Sequence, residues 1–354
     1  VAHRVFSARP AVAPLALAVV FAASAAVVLV PVFGRSFELI PGGVGDMSLV
    51  TYVLEHSHKL FTGQISQFWN APFFYPQPNV LVLSENQLGA APFYSFYRSA
   101  GLDRETSLQA WIVTGFALNY FAAAIVFRRL GFATHLTALG AFLFAFSVPQ
   151  MLHLGHTQLT YRFPIPLAWY AAYRYFQSGA PRYLAACGLL TCWQFYITPY
   201  YGFFLSLTLL ITALVYAVSS GEELAQRLRR AGLRSALTHA GIAAGCILLL
   251  VPVLVPYTAA AIPSNPLNEV LELLPRPQSY LMGSRGDYLA KLMATPFTVA
   301  VPYPWEHLMF PGIVAIVSVP AVWILLLVRR QRTAVPPPVA IGAVTLLVLV
   351  VLTL

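Results

Sequence analysis

Charge is what this chain has least of: 9% of its 354 residues are Asp, Glu, Lys or Arg, against 58% hydrophobic ones, and the mean hydropathy is +0.71. A soluble domain carries about 25% charged residues. So few charges cannot cover the outside of a water-soluble fold, which excludes a soluble enzyme, a disordered chain and a nucleic-acid binder. Cysteine is scarce too. Cys187, Cys192 and Cys246 lie in apolar runs, leaving neither a disulfide framework nor a Cys-rich zinc site. No GxSxG elbow, Walker-type phosphate loop or GxGxxG fingerprint occurs, so hydrolase and nucleotide-driven activities lose their usual sequence signals.

What the chain has in quantity is long apolar runs. A spanning helix needs about 20 predominantly apolar residues. Candidate spans fall near 11–34, 107–127, 133–151, 162–178, 182–197, 199–218, 236–257, 308–328 and 338–354. The first is too long for a signal-peptide core of about 7–15 residues and reads as an anchor. The expected fold is therefore all-α, a polytopic membrane protein of about nine transmembrane helices treated as one domain over residues 1–354. Val1 in place of Met, and a last apolar run reaching Leu354, suggest a fragment of a longer protein.

With the N-terminus inside, the inner pieces hold Arg4, Arg9, Arg128, Arg129, Arg174, Arg182, the four arginines from Arg227 to Arg234, Arg329, Arg330 and Arg332. These are 13 of the 21 basic residues, beside two acids, Glu222 and Glu223, while the outer pieces hold the other 8 basic residues and 10 of the 12 acids. That asymmetry follows the positive-inside rule. Two long outer segments result, 35–106 and 258–307, and loops beyond about 12–15 residues are usually functional.

The first outer segment opens on Pro41-Gly42-Gly43-Val44-Gly45-Asp46. From Asp46 a helical pattern places Met47, Val50, Leu54 and Phe61 on one face and Ser48, Thr51, Glu55 and Lys59 on the other, as in an interfacial amphipathic helix. Asp46 is thus either the N-cap of that helix or a catalytic carboxylate at the membrane surface. Phe68, Trp69, Phe73, Phe74, Tyr75, Phe93, Tyr94, Phe96 and Tyr97 suit an interfacial belt or a sugar- or lipid-facing cleft. Glu85, between the apolar stretches Val80–Leu83 and Leu88–Ala91, has to be paired, metal-bound or protonated.

His153 and His156, followed by Gln158 and Arg162, have the spacing to share a metal or donate to an anion, though no third ligand is fixed by spacing. Arg276, Arg285, Asp287 and Lys291 in the second outer segment suit a lipid phosphate or a solvated rim. Glu306, in Trp305-Glu306-His307, immediately precedes an apolar run.

One apolar helix, then Gly45-Asp46 opening a long outer segment with an amphipathic helix, then many spans, resembles the GT-C superfamily of membrane glycosyltransferases. The aromatic stretch Phe68–Pro78, Gly155-His156-Thr157-Gln158-Leu159 and Glu306-His307-Leu308-Met309-Phe310-Pro311-Gly312 look like bacterial members of it. The resemblance implies transfer of a hexose or pentose from a polyprenyl-phosphate-linked donor to an envelope glycan, lipid or protein, at the outer face of the bacterial inner membrane. It implies Asp46 as general base. Glu85 and Glu306 would orient acceptor or metal, and His153, His156, Arg162, Arg285, Lys291 and Trp69 are substrate-binding candidates. Met47 and Ser48 replace the Asp-x-Asp form of some members, so a divalent metal is possible but not required. The rival readings are a transporter or flippase, or a scaffold without chemistry. A transporter would carry ionisable residues in mid-span, where this chain has almost none.

If 35–106 and 258–307 share the outer side, single cysteines at Ser66 and Ser284 both react with an impermeant thiol reagent in intact spheroplasts. Labelling of only one breaks the topology.

Overall fold

In a computed structural model, the protein is described over residues 12–41, 44–221, 226, 232–259, 266–283, 302–313, 316, 317, 320, 324 and 337–352. All regular structure among them is helical. In chain order the α-helices are α1 (Val12–Val28), α2 (Val30–Phe33), α3 (Val44–Phe61), α4 (Ala91–Ser99), α5 (Arg104–Arg129), α6 (Thr134–Ala145) and α7 (Val148–Leu152). There follow α8 (Pro164–Ser178), α9 (Pro181–Ile197), α10 (Pro199–Ser219), α11 (Leu233–Ala259), α12 (Leu267–Leu273) and α13 (Pro337–Leu352).

Among the described residues, five stretches are long and apolar enough to cross a membrane: Ala13–Phe33, Arg104–Arg129, Thr134–Leu152, Pro199–Ser219 and Leu233–Ala259. At a rise of about 1.5 Å per residue, the 21 residues of the first reach about 31 Å, the thickness of a hydrocarbon core. Large apolar side chains stay outside the fold along these helices, among them Val19, Val27, Phe203, Leu214, Ile247 and Leu248. Water would penalise such stripes and lipid does not. The chain is an integral membrane protein. Three other expected spans form shorter helices, α8 with 15 residues, α9 with 17 and α13 with 16. Most of 308–328 lies outside the described residues.

The chain divides into two compact units. The larger comprises Val1–Phe146, Leu154–Leu209 and Glu222–Ile262. Its central element is α5, with 56% of its most apolar window buried, against 6% for α11. Asp103 caps α5 by accepting the Thr106 N–H at 2.7 Å, and Arg128 and Arg129 oppose the dipole at the far end. Helices α1, α4, α6 and α8 pack on α5, and α8, α9 and α11 form a neighbouring layer. Gly115 lets the chain cross α5 closely. A Cβ there would meet Thr160 and Tyr161 at 2.8 Å.

That crossing segment, Thr157–Phe163, is buried yet makes only one short 3₁₀ turn, so α5 and its neighbours must supply hydrogen bonds. Asn119 Nδ2 donates to the Thr160 carbonyl at 2.6 Å, and its Oδ1 accepts the Arg162 N–H at 2.9 Å. Gln194 donates to the Tyr161 carbonyl at 3.2 Å, and the Tyr161 hydroxyl donates to the Trp111 carbonyl at 2.7 Å.

Helix α3 buries Met47, Val50, Val53 and Leu54, the face anticipated from its periodicity, but Phe61 is 46% exposed because the last turn runs past the core. Its outer face is not simply solvated. Glu55 receives two N–H groups of Arg98 and the Tyr94 hydroxyl at 2.7–3.1 Å. Burial raises the Glu55 carboxyl, but these bonds and the Arg98 charge outweigh it, and the net shift is downward. Tyr94 is therefore a buried partner in α4 and not part of an interfacial belt.

The smaller unit comprises Ser147–His153, Leu210–Gly221 and Pro263–Leu354. Within it, the Phe310 N–H donates to the Met282 carbonyl at 3.1 Å, and the Met309 N–H to the Ser279 carbonyl at 3.2 Å. His307 is fully buried between the Ser279 hydroxyl at 2.7 Å and the Glu272 carbonyl at 3.0 Å.

Asn119→Ala removes a side chain that serves two buried backbone groups at once. Each unsatisfied group costs about 1–3 kcal/mol. The expected loss is about 2–6 kcal/mol, read as a lower thermal midpoint in detergent, whereas Ile125→Ala on the exposed face of α5 changes little. Equal midpoints for the two variants would contradict the clamp.

Candidate functional site

Asp46 lies in the first turn of α3, two residues after Val44. It is therefore not the N-cap, as one reading of the sequence had it, and the helix dipole still favours its charge there. Its Oδ2 meets His156 Nδ1 at 2.6 Å. The crossing segment brings His156 to this point: the Thr157 hydroxyl contacts Met47 Sδ at 3.5 Å, one residue beyond Asp46. Among the described residues, Asp46 Oδ1 has no hydrogen-bond partner.

Asp46 borders a cleft of about 440 Å³, whose other walls are Ser84, Glu85, Gln158, Pro199 and Tyr257 with an apolar floor of Leu49, Val50, Val82 and Leu83. Glu85 sits just after the 3₁₀ turn Val80–Leu83, and its Oε2 is buried with no hydrogen-bond partner. Burial pushes its carboxyl above the usual range, opposed by the Thr198 side chain and the Tyr200 backbone. Among the described residues no cation is paired with it, so its burial favours the neutral form. Tyr257 donates to the Ser84 carbonyl at 2.9 Å and meets Trp69 edge-to-face with centroids 5.6 Å apart. Trp69 thus supports the wall of the cleft through Tyr257. Asn86, next to Glu85, is fixed by bonds to the Phe195 carbonyl and the Leu88 N–H.

Asp46, Glu85 and Gln158, with His156 held on Asp46, are thus gathered at one cleft from three separate stretches of sequence. Arg162 is not among its walls. Its guanidinium donates to the Phe144 carbonyl at 3.0 Å and stacks over the Phe144 ring at 5.4 Å. His153 belongs to the smaller unit, where its Nδ1 bonds the Pro149 carbonyl at 2.9 Å. Glu306 also belongs to that unit, partly exposed in the turn before His307. Arg285, Asp287 and Lys291 lie outside the described residues. Among the described residues, no three His, Cys, Asp or Glu side chains gather as a metal cluster. Sequence reasoning singled out both members of the Asp46–His156 pair but did not join them. It missed Tyr257, whose only signal was a tyrosine at the end of an apolar run.

A pair of this kind can hold a carboxylate in one rotamer while leaving an oxygen free to accept a proton. Beside it, Glu85 in its neutral form can donate a hydrogen bond. No family model, curated protein or solved structure matches the chain.

The raised Glu85 carboxyl sets a pH dependence. The folded state holds this proton more tightly than the unfolded chain, so the contribution is fully present below the ordinary glutamate range and is lost as pH rises through the raised value. Glu85→Gln removes the charge that burial disfavours. Its thermal midpoint should match the parent's in acid and exceed it increasingly towards neutral pH. A gap that does not change with pH would show that Glu85 is not buried as a strained carboxylate.

Proposed function

We propose that this protein is a GT-C-type glycosyltransferase that moves a hexose or pentose from a polyprenyl-phosphate-linked donor to an envelope glycan, lipid or protein. The reaction takes place at the extracytoplasmic face of a bacterial inner membrane. In this reading the N-terminus is cytoplasmic, about nine helices cross the bilayer, and 35–106 and 258–307 lie outside. The split of basic residues supports that orientation.

The observation that carries the proposal is Asp46 Oδ2 held at 2.6 Å by His156, with Oδ1 open beside a cleft that also contains Glu85. An acceptor hydroxyl hydrogen-bonded to Oδ1 gives up its proton to Asp46 as its oxygen attacks the anomeric carbon. The bond from that carbon to the donor phosphate breaks, and the phosphate leaves with the electron pair. A phosphate monoester has a second pKa near 6, so it departs as an anion without the general acid that a glycosidase needs. A single displacement inverts the anomeric centre. His156 is a positioning residue for Asp46, and neutral Glu85 orients the acceptor by donating a hydrogen bond. By the resemblance alone, Arg285 and Lys291 are proposed partners of the donor phosphate, and Glu306 a proposed alternative to Glu85 in orienting acceptor or metal. A divalent metal is compatible with this scheme and not required by it.

Asp46→Asn keeps the shape of the side chain and removes the base. The dipole interaction lost at the first turn is worth about 0.3–1 kcal/mol, so folding stays nearly intact while transfer from a lipid-linked sugar falls about 10²–10⁴-fold. Membrane insertion and thermal midpoint are measured beside turnover. His156→Ala should lower kcat less steeply and leave the remaining activity dependent on Asp46. Near-normal turnover in a stable, inserted Asn variant would reduce Asp46 to a helix-terminal charge.

A further inference from the structure

A second cleft in the larger unit, of about 840 Å³, is separate from the one at Asp46. It opens on the opposite flank of α3. Asp46, Leu49 and Val50 face the smaller cleft, whereas Ser48, Thr51, Tyr52, Glu55 and Lys59 face the larger, about half a turn away at 100° per residue. The far wall is Ile65–Gln67, Asn70 and Pro72, and one end is closed by Arg104 and Glu105 at the start of α5.

The hydrogen-bonding inventory of these walls is lopsided. Most acceptors are occupied from within. Glu55 is taken by Arg98 and Tyr94, Gln67 Oε1 by the Asn70 amide, and Asn70 Oδ1 by the Asn79 N–H. His56 is held at the Phe68 carbonyl at 2.9 Å, and burial lowers its pKa, so it stays uncharged. Among the described residues, the Lys59 ammonium, the Arg104 guanidinium and the Tyr52, Ser48 and Ser66 hydroxyls have no hydrogen-bond partner. With Arg98 counted against Glu55, the cations Lys59 and Arg104 face one further carboxylate, Glu105, a balance of +1. Tyr52 and His56 add a pair of near-parallel rings, centroids 5.8 Å apart at 17°.

Such walls ask for a ligand rich in acceptor oxygen, bearing negative charge, and with a face for an aromatic ring. We propose that this cleft is a binding site for an anionic, hydroxyl-rich group, a phosphorylated or carboxylated sugar, held by Lys59, Arg104 and Tyr52. Phosphate and carboxylate present the same chemistry to these donors. The site stands apart from Asp46, so it does not depend on transfer chemistry.

The full chain in phosphatidylcholine nanodiscs is titrated calorimetrically with glucose 1-phosphate, glucuronate and glucose. At least one anionic sugar should bind saturably, about tenfold or more tightly than glucose, since hydrogen bonds to charged groups contribute about 1.5–3 kcal/mol. The double variant Lys59→Gln, Arg104→Gln should lose that preference, and Asp46→Asn should keep it. Loss of binding only in phosphatidylglycerol discs would identify a lipid phosphate as a competing source for the same site. If the double variant unfolds, Lys59→Gln and Tyr52→Phe singly carry the same comparison. Equal binding of glucose and both anions, or anion binding indifferent to these variants, would overturn the proposal. Because the readout is binding and not transfer, its failure leaves the role of Asp46 untouched.

Discussion

A buried stretch of chain that is not helical has to find partners for every backbone amide and carbonyl, and this requirement governs the larger unit. Thr157–Phe163 crosses α5 where Gly115 has no side chain, and Asn119 and Gln194 supply the bonds that a helix would have made internally. A second irregular stretch, Glu85–Ala90, is treated alike. Trp193 and Trp111 donate to the Gly89 and Ala90 carbonyls at 3.0 Å, and the Gly89 N–H donates to the Tyr196 carbonyl at 2.6 Å. In an apolar interior each of these groups left alone would cost several kcal/mol. The polar side chains inside the apolar helices are therefore there for the segments that cross them.

The candidate chemistry depends on the same two segments. One begins at Thr157 and Gln158, directly after His156, and the other begins at Glu85. Both converge on the start of α3, where the dipole favours the charge of Asp46. Loops carrying function are usually mobile. Here the donors of α5 and α9 tie them down, so His156 meets Asp46 without a helix of its own to position it. Rigid placement of this kind is what a proton-accepting carboxylate needs, since misplacement by about 1 Å can cost 10²-fold in rate.

Helix α3 has a cleft on each of two flanks. Its buried stripe, Met47, Val50, Val53 and Leu54, anchors it, and each side of that stripe borders a cleft of different character. The smaller has two carboxylates, Asp46 and Glu85, over an apolar floor, with His156 held on Asp46. The larger has open donors, because Arg98 and Tyr94 occupy the acceptor Glu55. A single amphipathic helix thus separates an acid–base environment from a cationic one.

Much of this could be read from the chain itself. Scarce charge and long apolar runs set the class, because burial in lipid depends on composition over about 20 residues and needs no tertiary information. The periodicity after Asp46 defined α3 and its buried face through Leu54, since a 3.6-residue repeat is local. The aromatic residues were not so legible: Tyr94 and Tyr257 look like interfacial rings by type, yet each has a hydroxyl bonded inside the fold. Nor did a sequence pattern reveal that α8 and α9 are short, that Asp46 lies within the first turn and not at the cap, or that Arg162 bonds the Phe144 carbonyl instead of facing the cleft. The pairing of Asp46 with His156 spans 110 residues. It exists because Gly115 and Asn119 fix where the chain crosses α5, and contacts made through a crossing leave no periodic trace in the residues that meet.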